Sequence, residues 1–248
     1  MFTRIALSVA ASALLAGVAL QAHAAPGVTT FNDAINDIDP GISTGSGTLD
    51  LVKMEVSNTD SDVMFKLTVN GNIGITDWGK FMIGIANNKG YGTSSSDGWA
   101  RPITMSANGG MTNWIGSWVD GPVDARGGAE NRSNQTSWGL TGATYNGNFG
   151  GFSLSAGAQS TITYTVSIAS LGMSIGDTFS FDAYSSGGGG GDSAVDALAN
   201  PNYAISSWGA AYNSGASNSF SYTRGAVPAP GAVALICVAG LMGRRRRA

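Results

Sequence analysis

Between residues 63 and 69 every second side chain is large and apolar: Val63, Phe65, Leu67 and Val69 alternate with Met64, Lys66 and Thr68. A period of two puts one set on each face of an extended chain, so this stretch reads as a half-buried β-strand. Residues 49–56 alternate more loosely. Phe81, Ile83 and Ile85 repeat the pattern, as do Ile162, Tyr164, Val166 and Ile168, then Phe179, Phe181 and Ala183, and finally Phe220 and Tyr222. Polar or Gly-containing turns separate the first runs, at residues 58–62, 70–72 and 87–90. Short strands punctuated in this way predict an all-β fold, a two-sheet antiparallel β-sandwich of jelly-roll-like type. Short helical pieces are expected only at residues 31–38 and 193–198. The glycine-rich run at 185–191 reads as a surface loop inside one domain, because Trp208, Phe220 and Tyr222 follow it and need a core to pack on.

The two ends have a different character. Arg4 precedes an apolar stretch at residues 5–20, and Ala22-His23-Ala24 is a small-x-small site. This is the pattern of a secretory signal peptide cut between Ala24 and Ala25, the alternative being an uncleaved N-terminal helix. At the other end Val227-Pro228-Ala229-Pro230 precedes an apolar run at residues 232–242 and the cluster Arg244, Arg245, Arg246 and Arg247. Proline keeps the start of this tail extended. The apolar run is short beside the ~20 residues of a stable span, and the arginines hold the C-terminus in the cytoplasm. The expected organisation is therefore a signal helix at 1–24, one sandwich domain at 25–226, and a sorting tail with a short apolar helix at 227–248.

That tail resembles the bacterial PEP-CTERM sorting signal, in which the motif is Val-Pro-Glu-Pro; here Ala229 stands at the glutamate position. The resemblance implies export across the inner membrane, transient membrane contact through the tail and cleavage near the motif by an exosortase-type enzyme. Delivery to the cell surface or extracellular matrix would follow. It covers the tail alone, and a plain C-terminal membrane anchor is the alternative.

Setting the ends aside removes whole classes of chemistry from the body. The single histidine is His23 and the single cysteine Cys237, so residues 25–226 contain neither. A Ser-His-Asp triad, a cysteine nucleophile, a zinc site on His or Cys and a disulfide are all excluded there. The body keeps eight Lys and Arg against sixteen Asp and Glu, a formal charge of −8. Such a surface repels nucleic acid and anionic lipid and is compatible with divalent cations and neutral sugars.

The most informative stretch is the tryptophan-rich middle: Trp99, Arg101, Trp114, Trp118 and Trp138. In a strand, Trp114, Gly116 and Trp118 share one face, and Ile115, Ser117 and Val119 the other. Two tryptophans flanking a glycine make a flat apolar shelf of the kind sugars stack on, with Arg101, Asn113 and Asp120 as polar partners for hydroxyls. The same tryptophans can equally fill a core. These strands, with Trp78-Gly79-Lys80-Phe81 and residues 171–182, weakly resemble secreted DOMON-like and family-nine carbohydrate-binding sandwich modules. Some of those modules bind sugars and others haem; haem is disfavoured in a body without histidine.

Asp33, Asp37 and Asp39 cluster near the start of the body, Asp60 and Asp62 share a turn, and Asp192 and Asp196 follow the glycine run. Calcium coordination and hydrogen bonding to the local backbone are both readings of these groups, and the sequence alone identifies no metal site. The only glutamates are Glu55 and Glu130, and nothing pairs two acids at the ~5–10 Å spacing of a glycosidase. Three functions remain in view: a surface or matrix protein that binds extracellular polysaccharide, a structural matrix component without a ligand, and a polysaccharide-degrading enzyme. The first is the leading expectation, with no catalytic residues assigned.

Overall fold

A computed structural model of the chain describes residues 27–75, 78–120, 127–202, 205 and 207–226. The expected signal peptide with its Ala24/Ala25 cleavage site and the tail from Val227 onward lie outside the described residues. Among the described residues no helix is long and apolar enough to cross a membrane.

The fold is all-β. One sheet joins β1 (Thr29–Asn32), β2 (Leu51–Asn58), β3 (Asp62–Val69), β10 (Ser160–Ser167) and β9 (Gly151–Ser155), in that order. The second runs β12 (Asp196–Ala197), β11 (Thr178–Ser186), β4 (Lys80–Ala86), β6 (Asn113–Trp118), β7 (Gly128–Asn134) and β8 (Trp138–Ala143), and β14 (Phe220–Thr223) pairs with the first half of β11. Every pairing in these two sheets is antiparallel. Short β5 (Ile103–Met105) and β13 (Tyr212–Ser214) pair in parallel.

The alternating residues do what their period dictates. Val63, Phe65, Leu67 and Val69 meet Ile162, Tyr164 and Val166 of the neighbouring strand and face Phe81, Ile83, Ile115, Phe179 and Phe181 of the other sheet, all fully buried. Each such side chain contributes about 1.5–3 kcal/mol by leaving water. The rings of Phe65, Phe179 and Phe181 lie about 6 Å apart in edge-on or tilted pairs, the geometry aromatic quadrupoles favour.

A second cluster, absent from the sequence expectation, covers the outer face of the second sheet. Met82, Trp114 and Tyr184 on that face pack with Ile103, Met105, Ala107, Met111, Ala194 and Tyr212 from the connecting segments. This third layer explains why β4 and β11 are buried along almost their whole length instead of alternating.

Two short expectations are corrected. Residues 31–38 are not helical: Phe31 and Asn32 end β1, and Phe31 packs edge-on against Phe181 at 5.0 Å. Asn36 then takes φ +63°, which a helix does not tolerate. Residues 193–198 are not helical either. Val195 N–H donates to Ser185 O and Leu198 N–H to Ala183 O, drawing Asp196 and Ala197 into the ladder beside β11.

Candidate functional site

On the outer face of the second sheet, strand register fixes a small surface. Trp114, Gly116 and Trp118 of β6 lie opposite Arg132, Glu130 and Gly128 of β7. The missing side chains at the glycines are what the indoles use. A Cβ on Gly116 would overlap the Trp114 ring, and one on Gly128 the Trp118 ring. Gly98 closes over Trp114 from above, where a Cβ would again run into the ring. Trp114 is therefore 0 % exposed. The expected open shelf of Trp114 and Trp118 is corrected on this point: Trp114 belongs to the packed layer, and the turn at 97–99 covers it.

Trp118 stays half-buried at the edge of that layer, and Trp99 beside it is half-buried too. Trp99 meets Trp114 edge-on at 4.6 Å and Trp118 at 6.3 Å. Its indole N–H donates to Glu130 Oε1 at 2.7 Å. Arg132 Nε donates to the same oxygen at 2.6 Å, and the Tyr145 hydroxyl to Oε2 at 3.3 Å. Glu130 is itself buried, so one carboxylate fixes the orientations of Trp99, Arg132 and the exposed Tyr145. Beside them Leu140, opposite Arg132 in the register, is 44 % exposed. The surface thus offers two partly open indoles, an exposed phenol and an oriented guanidinium.

The three polar residues expected around the tryptophans part company. Asp120 lies two residues beyond β6 and pairs with Lys80 Nζ at 2.6 Å. Arg101 is 5 % exposed; its guanidinium sits 5.6 Å from the Trp99 ring centre and donates to Ser186 Oγ and Asp192 O. It braces Trp99 from behind. Asn113 points the other way, as its odd position beside Trp114 requires. It is buried, accepting from Asn87 Nδ2 at 3.1 Å and donating to Ser170 O. Asn113 is corrected from a ligand contact to an internal tie.

Asp97, which the sequence reading passed over, organises the covering turn. Its Oδ1 accepts from the N–H groups of Trp99 and Arg101 at 2.9 and 2.8 Å. Burial pushes its carboxyl up to about 6. Asp followed by Gly at 97–98 favours a turn locally, but nothing in the sequence says what that turn covers.

As for paired acids, Glu55 faces out of the first sheet beside Lys66 and Lys53, at 3.1 and 3.6 Å. Glu130 faces out of the second sheet, so the two glutamates stand on opposite outer faces.

Among the aspartates, Asp60 and Asp62 sit in their turn, where Ser61 Oγ donates to Asp62. Asp39 accepts from Gly41 N–H and Asp192 from Gly189 N–H, as turn aspartates do. Asp33 and Asp37, four residues apart, instead converge with the distant Asp196, each with a carboxylate oxygen within 4.8 Å of the others. They are the one group of acids among the described residues with spacing that suits a metal ion. No protein-family model and no curated protein matches the chain.

Proposed function

We propose that the chain is an exported, C-terminally sorted protein of the cell surface or extracellular matrix, and that its β-sandwich binds polysaccharide. The observation that carries the binding half is the half-buried Trp99–Trp118 pair, with Trp99 held in place by Glu130 and Tyr145 and Arg132 alongside. Partly open indoles give pyranose rings an apolar face, and an oriented guanidinium and phenol give hydroxyls their partners. The body charge of −8 favours neutral polymers over anionic ones. The weak likeness to DOMON-like and family-nine modules points the same way. The sorting half rests on the Pro-Ala-Pro tail with its terminal arginines, which an exosortase-type enzyme would process after the secretion machinery has exported the chain.

A second reading is a structural matrix component without a specific ligand, and the full burial of Trp114 favours it, since one tryptophan of the expected shelf is out of a ligand's reach. Affinity electrophoresis of the full-length chain through gels containing a panel of polysaccharides, the producing cell's own polymer among them, separates the two readings. Retardation by one polymer class supports binding; unchanged mobility in every gel supports the structural reading. Cell fractionation tests the sorting half: removing residues 227–248 should abolish retention at the surface.

A further inference from the structure

We propose that Asp33, Asp37 and Asp196 form a calcium-type cation site that joins the free edges of the two sheets. Asp33 follows β1, the outermost strand of one sheet, and its N–H donates to Val52 O. Asp37 lies in the turn that leaves that edge. Asp196 is in β12, the outermost strand of the other sheet, and its Oδ2 accepts from Leu51 N–H at 2.6 Å across 145 residues of sequence. The three carboxylates therefore meet beside the outermost strands of both sheets, and a cation among them would tie those edges together.

The convergence alone would be an acidic cluster. What points to a ligand is the state of the oxygens. Asp33 and Asp37 are half-buried side chains, but both carboxylate oxygens of Asp37 and Oδ2 of Asp33 are shut off from water and find no hydrogen-bond donor on another residue. Asp50, 2 % exposed, also keeps Oδ1 unpartnered, while its Oδ2 accepts from Asn36 N–H and Asn70 Nδ2. Asp196 is wholly buried and takes one backbone N–H on each oxygen, which leaves lone pairs on both. Leaving buried acceptors empty costs free energy, and more so for charged groups.

Electrostatics agrees with this geometry. Burial first, then Asp196, Asp37 and Asp182, push Asp33 up to about 9; burial, with Asp50 behind it, pushes Asp37 up to about 6. Asp196 is raised well above the carboxylate range by burial, with Asp37 and Asp50 adding to it. Every charge bearing on the cluster in this way is negative, which is the situation a divalent ion relieves. An all-oxygen set of carboxylates with room for backbone carbonyls and water suits calcium better than softer metals.

Isothermal titration of the chelator-stripped full-length chain with CaCl2, together with its melting temperature in EDTA and in excess calcium, tests the site. The expected result is one calcium bound per chain, with Tm raised by about 5–10 °C at calcium one hundredfold over its Kd. Asp37→Asn should remove the response while melting in EDTA no lower than wild type, since it sheds a buried charge. Asp39→Asn, whose residue only caps Gly41, should respond as wild type. No heat of binding with the same Tm in EDTA and calcium would overturn the proposal. A calcium response that survives Asp37→Asn would overturn it as well, by putting the ion elsewhere.

Discussion

The indole N–H of Trp99 donates to Oε1 of Glu130 at 2.7 Å, and Arg132 Nε donates to the same atom at 2.6 Å. One buried carboxylate thereby sets the angle of the residues proposed to meet a sugar. Glu130→Ala should leave both donors without their acceptor. The expected loss is about 2–3 kcal/mol, as for hydrogen bonds to a charged group. Glu130→Gln, which keeps the shape and one acceptor oxygen, should lose less. Urea denaturation followed by tryptophan emission measures both; equal stability of all three proteins would show that the carboxylate positions nothing.

Gly116 is where the sheet makes room for Trp114. Gly116→Ala should force the indole out of place and destabilise the protein by about 1–3 kcal/mol, the usual cost of overfilling a packed layer. Gly188, with open space around its Cβ position, supplies the comparison. Gly188→Ala should stay within about 0.5 kcal/mol of wild type. The difference in urea midpoint between the two variants checks the claim.

In EDTA, with no calcium to reward ionised carboxylates, stability should fall as pH rises from 5 to 8. Burial pushes Asp182 up to about 7, against hydrogen bonds from Ser214, Ala199, Tyr212 and Ala183 that lower it. Asp97, likewise buried, is raised to about 6. Folded values above the unfolded ones mean that these groups contribute stability fully present below the ordinary carboxylate range. That contribution is lost as pH climbs through 6 and 7. Urea midpoints at successive pH values should therefore decline across this window. Asp182→Asn, which cannot ionise, should flatten the upper part; an unchanged slope would contradict the assignment.

What could be read from the sequence depended on which faces a strand buries. β3, β4, β10 and β11 were visible because their inward residues alternate with others, even where the outer layer later buried both faces. β7, Gly-Ala-Glu-Asn-Arg-Ser-Asn, escaped because its inner face is held partly by polar groups: Ala129 is apolar, but Asn131 donates to Ser170 Oγ. β1 escaped because only Phe31 marks it, and what fixes it is packing on Phe181 and Phe220, distant in sequence. At the candidate site the parity of Trp114, Gly116 and Trp118 was legible, and so was their common face. The covering turn at 97–99 was not, because nothing local says that Gly98 stacks on Trp114. The same holds for Asp196, whose approach to Asp33 and Asp37 depends on the meeting of two sheet edges.

The most direct test of the proposed function is a fluorescence titration of the full-length chain with the polysaccharide that retards it most. The expected result is a saturable change in tryptophan emission and an affinity about tenfold lower in Trp118→Ala, the worth of one aromatic contact. Met64→Ala, exposed on the outer face of the first sheet, should bind as wild type does. Binding untouched by Trp118→Ala, or no binding by the wild-type chain, would contradict it.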